Sequence, residues 1–240
     1  MFVGHFGVGL AGKAVAPRVS LAVWFVAVQL VDLLWPVFLL LGWEHVRIAP
    51  GITRLTPLDF YDYPITHSLL GGIGWAVLFG LLAWVLLGRR RAATGRAAGG
   101  ATSARGRRRV SLLLAAGVLS HWPLDVLVHR RDMPVLPRGP DLGLGLWNHP
   151  ALELAVEGAL YLGGAALYLR ATRPADRIGR YGCWLLLAFL PAAWLSTVFG
   201  PPPPAVPSLA GFALAGSALT VLWAWWVDRH RLPREVAVAL

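Results

Sequence analysis

The stretch Ser120-His121-Trp122-Pro123-Leu124-Asp125-Val126-Leu127-Val128-His129 carries the densest chemistry in the chain. It ends an apolar run. A helix continuing through it sets His121, Asp125 and His129 on one face, because residues four apart are helical neighbours. Two imidazoles and a carboxylate in an apolar segment are costly to bury without partners. His5, Asp32 and His67 also fall in or beside apolar runs. Together His5, Asp32, His67, His121 and Asp125 offer imidazole and carboxylate without thiolate. That ligand set suits a divalent ion, Zn²⁺ first, with Mn²⁺ or Fe²⁺ also fitting. Such an ion polarises a carbonyl or phosphoryl oxygen and acidifies water. Glu153, Glu157 or His149 would then act as general base or as partners of the ligands. Asp59 and Asp62, just upstream of His67, are candidates for further ligands.

Each residue also has a plainer reading. His121 and Asp125 can be a hydrogen-bonded pair that fixes helix packing. Asp32 can reach Lys13 or Arg18 by snorkelling. Glu153 and Glu157 can be solvated acids in a first helical turn. Pro123 kinks its helix and frees a backbone carbonyl near His121.

The elements that must position these groups are membrane helices. The chain has 240 residues, 57% of them hydrophobic and 14% charged, against about 25% charged in a soluble domain. Its apolar runs cover residues 19–42, 66–88, 110–129, 150–169, 181–199 and 208–227, each near the ~20 residues a span needs. Residues 2–16 form a shorter, glycine-rich segment without a basic leader region, which reads as a tilted or re-entrant helix rather than a cleaved signal. The sequence therefore predicts an all-α polytopic integral membrane protein: six long transmembrane helices plus a short N-terminal membrane helix, forming one domain over 1–240. Thr66 is the expected N-cap of the second long span.

The net charge of +10 does not point to nucleic acid, because the arginines sit between apolar runs. Residues 89–109 hold eight of them and read as a flexible loop; residues 170–180 hold four. The positive-inside rule puts both segments and the C-terminal tail in the cytoplasm, and 43–65, 130–149 and 200–207 outside. Counting about 1.5 Å per residue, Asp32, His121 and Glu157 then lie at roughly the same depth, about 17–20 Å from the inner face. The simplest arrangement is one polar pocket opening outward. Cys183 is the single cysteine, so neither an intrachain disulfide nor a thiolate metal site arises.

Gly4-His5, Asp32, Thr66-His67-Ser68-Leu69-Leu70 and Ser120-His121-x-x-x-Asp125, in this order, resemble the YdjM-like inner-membrane proteins. The resemblance covers residues 4–130 and implies a membrane-bound metal-dependent hydrolase of a bacterial inner membrane. It departs from the family where an Asp-x-Asp-His element is usual: here the chain reads Asp32-Leu33-Leu34-Trp35-Pro36. A site at that depth implies a lipid or other amphiphile carrying an ester or phosphoester as substrate. The runner-up is a proton- or cation-coupled transporter, against which stand the lack of an internal repeat and of a legible broken-helix pair. A third reading is a membrane scaffold with a vestigial site.

Overall fold

The 19–42 run is interrupted in sequence only by Gln29 and Asp32, yet it does not form one straight helix. A computed structural model describes residues 1–94 and 103–234. In it the first helix, α1, is Val3–Val15. The run then divides into α2 (Leu21–Val28) and α3 (Leu30–Leu41), bent by 57° at Gln29. Gln29 itself has left the helical region, at φ −109° and ψ 9°. The break leaves the Val28 carbonyl to a side chain, the His121 imidazole, whose Nδ1 lies 2.8 Å away.

Next come a single turn, α4 (Pro64–His67), and the long α5 (Leu69–Thr94). α6 (Ala104–Leu119) and α7 (His121–Val128) follow one another across Ser120, three residues before Pro123. The remaining helices are α8 (Pro150–Ala171), α9 (Cys183–Phe199, entered through a π-helical turn) and α10 (Val206–Arg229). Among the described residues five segments are long and apolar enough to cross a bilayer, and α2 with α3 qualifies only as a bent pair. Five of the six long spans expected from sequence are continuous helices, and the run 19–42 is bent rather than one straight helix.

The Arg-rich segment is also shorter than expected. α5 runs on to Thr94 and α6 starts at Ala104, so Arg89 to Arg91 and Arg105 to Arg109 are helical. Arginine and alanine are good helix formers, and Arg107 stacks its guanidinium 3.9 Å over the Trp84 ring. Residues 95–102, with Arg96, lie outside the described residues. Short strands also qualify the all-α expectation. β1 (His45–Ile48) and β2 (Leu58–Asp62) pair antiparallel, with His45 opposite Asp62 and Arg47 opposite Asp59. Met133–Pro134 pairs with Asp141–Leu142 at the same end of the bundle, and Thr172–Pro174 pairs with Arg231–Pro233 at the other.

α1 is too short to span a bilayer, at about 20 Å. It is buried along Val3, Gly4, His5, Phe6, Gly7, Gly9, Leu10 and Lys13, as a helix enclosed on all sides must be. Glycine makes that possible. A Cβ on Gly164 would fall on the Gly7 backbone, and one on Gly7 would fall on the Leu160 carbonyl, so α1 and α8 touch main chain to main chain. Lys13 closes the far end of α1 on Asp228 at 2.9 Å, and Asp228 also accepts the Leu21 N–H. Lys13 is therefore not available to Asp32. Gly163, next to the contact, has open space around it. Thermal unfolding in detergent should show Gly164→Leu destabilised by about 1–3 kcal/mol or more, while Gly163→Ala stays within about 0.5 kcal/mol of the parent.

Candidate metal centre

Four elements deliver five side chains to one place. α1 brings His5, the start of α3 brings Asp32, α4 brings His67, and α7 brings His121 and Asp125. His5, His121 and Asp125 form one group whose ligand atoms lie within 4.8 Å of one another; Asp32, His67 and His121 form a second. The i,i+4 pair on α7 sets His121 Nε2 3.1 Å from Asp125 Oδ2. Asp32 Oδ1 lies 3.6 Å from His121 Nε2 and 3.3 Å from His67 Nε2. His67 Nε2 is 4.0 Å from Asp125 Oδ2. On the other side of Asp125, Oδ1 is 2.9 Å from His5 Nε2 and accepts from the Met1 nitrogen at 2.7 Å. The His5 and His121 rings stack, with centroids 3.7 Å apart.

Hydrogen bonds on the far side of two rings decide where their protons sit. His121 Nδ1 faces the Val28 carbonyl, which can only accept, so Nδ1 carries the hydrogen. In the neutral ring His121 Nε2 is then a lone pair, and it faces Asp125 Oδ2 at 3.1 Å and Asp32 Oδ1 at 3.6 Å. His67 Nδ1 lies 2.6 Å from Thr66 Oγ1, and that hydroxyl donates its hydrogen to Glu44 Oε2 at 2.7 Å. Thr66 Oγ1 must therefore accept from His67 Nδ1–H, and in the neutral ring His67 Nε2 is a second lone pair. Two imidazole Nε2 atoms and two carboxylates thus face one another in an almost dry space. Only Asp32 is appreciably open, with its side chain 32% exposed; those of His5, His67, His121 and Asp125 are at most 5% exposed. Beside His67 and His121 is a cavity of about 10 Å³, walled by Val31, Val118 and Trp122. That is about the room one water occupies.

The other candidates lie elsewhere. Glu157 is buried and accepts from the Phe2 and Gly4 backbone N–H groups at 2.8 to 3.0 Å, capping α1. Glu153, equally buried, lies one helical turn before Glu157 on α8. The solvated reading of these two acids fails, and both stand behind α1 rather than at the Asp32 opening. His149 is exposed at the N-terminus of α8, outside the cluster. Asp59 is taken by Arg47 and Arg130, and Asp62 by His45, so neither reaches the cluster.

His129 leaves the helical face on which the sequence places it, because it ends α7 in an extended conformation. It stacks between Tyr63 and Trp147 and donates from Nδ1 to Asp132. Burial holds His129 below the ordinary imidazole range and lifts the Tyr63 phenol above its own, so both are neutral at pH 7. Tyr63 separates the cluster from a larger cavity of about 250 Å³, into which Asp62, Arg130, Asp132, Arg138 and Asp141 face.

Glu44 is the residue that sequence reasoning missed. It stands just beyond α3 in a loop of mixed polarity, where an acid normally faces water, yet it is 1% exposed. The signal available was Gly42 closing an apolar run, followed at a distance by Pro64 opening a turn. Thr66 is correspondingly not the cap of a long helix. It sits within α4, and Ser68 starts α5 instead, accepting the Gly71 N–H at 2.9 Å. No family model, curated protein or solved structure with which the chain was compared matches it.

Proposed function

We propose that the protein is a membrane-embedded hydrolase that holds a divalent metal ion, Zn²⁺ in first place, between Asp32, His67, His121 and Asp125. His5 binds the second oxygen of Asp125. The observation that carries this reading is the pair of imidazole nitrogens turned onto two carboxylates. With both rings neutral, their lone pairs and the carboxylate oxygens repel at 3.1 to 3.6 Å, and a divalent cation between them turns that repulsion into coordination. The donors are the hard and borderline kind that Zn²⁺, Mn²⁺ and Fe²⁺ take. The chemistry such an ion supplies is Lewis acidity toward a carbonyl or phosphoryl oxygen, and activation of water.

The chain's own part is positioning and exclusion. The Val28 carbonyl and the Thr66 hydroxyl hold two imidazoles in one orientation. Val31, Val118 and Trp122 keep the approach to them apolar. Asp32 at the opening is the first member of the cluster that a substrate meets. A site embedded among apolar helices, with a polar cavity behind Tyr63, suits an amphiphile whose head carries an ester or phosphoester. The arginine distribution supports six crossings of a bacterial inner membrane, with residues 89–109 and the C-terminal tail in the cytoplasm. The motifs shared with the YdjM-like proteins support the same activity.

One observation favours the runner-up, a proton- or cation-coupled transporter. α2 and α3 are a broken helix pair, and Asp32 stands at the break, as coupling sites in transporters do. Proteoliposomes separate the two: release of product from a phospholipid panel without ion flux supports hydrolysis, and flux without release supports transport.

Protein purified in detergent should carry a divalent ion by elemental analysis, or take one up from Zn²⁺, Mn²⁺ or Fe²⁺. His67→Ala and His121→Ala should lower its affinity by more than about 100-fold, beyond what losing a ligand's own partner costs. Asp32→Asn, which keeps the shape of a partly exposed side chain, should weaken binding without unfolding the protein. The metal assignment falls if none of these ions binds and the three variants behave as the parent.

A further inference from the structure

Glu44 reaches its position by a sequence of local causes. Gly42 adopts the left-handed conformation, φ 68°, that ends α3. Its N–H bonds to the Leu39 carbonyl and the Trp43 N–H to the Phe38 carbonyl. This closure turns the chain back so that Glu44 faces α4. Pro64 opens α4 and has no N–H to satisfy. The next two N–H groups, of Ile65 and Thr66, both donate to Glu44 Oε1, at 2.7 and 2.8 Å. Glu44 Oε2 takes the Thr66 hydroxyl at 2.7 Å. Glu44 thus accepts three hydrogen bonds, two from main-chain N–H groups and one from a hydroxyl.

The consequence runs one residue further. A hydroxyl has one hydrogen; with it committed to Glu44, Thr66 presents only lone pairs to His67 Nδ1. We propose that Glu44 and Thr66 are a positioning pair that fixes His67 as its Nδ1–H tautomer and so keeps Nε2 free as a donor to the ion. Glu44 acts through Thr66, and Thr66 meets the cluster only at the Nδ1 side of His67. The effect on metal binding rests on the proposed metal site; the tautomer does not.

The polarity of this chain can be reversed without changing its shape. In Glu44→Gln the amide oxygen still accepts from Ile65 and Thr66. The amide nitrogen, however, takes the place of Oε2 and must donate to Thr66 Oγ1. The hydroxyl hydrogen is then turned toward His67 Nδ1, and the ring proton moves to Nε2. Thr66→Ser keeps the relay, whereas Thr66→Val removes it.

The test is ¹⁵N NMR of histidine-labelled protein in micelles, with His67→Gln used to assign the signal. The parent and Thr66→Ser should show the Nδ1–H signature at His67, and Glu44→Gln the Nε2–H signature with an unchanged melting temperature. Zn²⁺ affinity should fall about 10–100-fold in Glu44→Gln and Thr66→Val, and recover in Thr66→Ser. A folded Glu44→Gln protein that keeps Nδ1–H at His67, or binds Zn²⁺ as the parent does, overturns the proposal and leaves the metal site standing. If the parent binds no metal but the tautomer switches, the relay stands and the metal reading fails.

Discussion

Asp125 places a carboxylate, 3% exposed, in the middle of a bundle built from apolar helices. A buried charge of this kind is stable only where partners surround it. The neighbouring elements are shaped by that demand. α1 enters the bundle as far as is needed to bring His5 against one oxygen. α7 starts at His121, so that the i,i+4 pair faces the other. The break between α2 and α3 turns Asp32 toward the same point and leaves the Val28 carbonyl to orient His121. The interruption at Ser68, which a straight membrane helix would not have, ends α4 directly after His67.

The insertion of α1 raises a problem of its own, since a helix end in an apolar interior leaves N–H groups without water. Glu157 answers it by accepting from Phe2 and Gly4. Glu153, one helical turn before Glu157 and equally buried, has one oxygen without a hydrogen-bond partner among the described residues. Glu157 therefore serves α1 first, and its contribution to the cluster is to hold His5 where it is. The glycine contact between α1 and α8 is the apolar counterpart of the same arrangement.

Much of this was legible in the sequence. The apolar runs locate the helices, and the five imidazole and carboxylate residues stand out because they interrupt such runs. What failed was the reading of continuity. Hydropathy does not register a bend at Gln29, because the residues on both sides are equally apolar and the cause is a histidine 92 positions later. Thr66 looked like a helix cap because Ser and Thr favour that role, but Glu44 supplies the cap from outside the helix. His149, a candidate base by residue type, stands exposed at the α8 N-terminus, because residue type does not report depth. Glu44 itself could not be found from pattern: its burial depends on a loop folding back, which is a tertiary fact.

The three histidines are oriented by partners of different kinds, and the difference bears on which of them can be tuned. His121 rests on a main-chain carbonyl, so no side-chain substitution at its partner can reverse the direction of that hydrogen bond. His67 rests on a hydroxyl whose direction is decided one residue further away, by Glu44. His5 Nδ1 has no hydrogen-bond partner among the described residues, and the ring's orientation comes from stacking on His121 and from Asp125. The order from His121 to His67 to His5 is one of decreasing backbone control. It runs parallel to the architecture. His121 is seated between two bundle helices, α2 and α7. His67 is seated through the hairpin end, where α3 turns back on α4. His5 depends on how deeply α1 is held. Changes at Glu44 therefore reach the cluster through Thr66 and His67, while changes in the packing of α1 reach it through His5 and the Met1 nitrogen on Asp125.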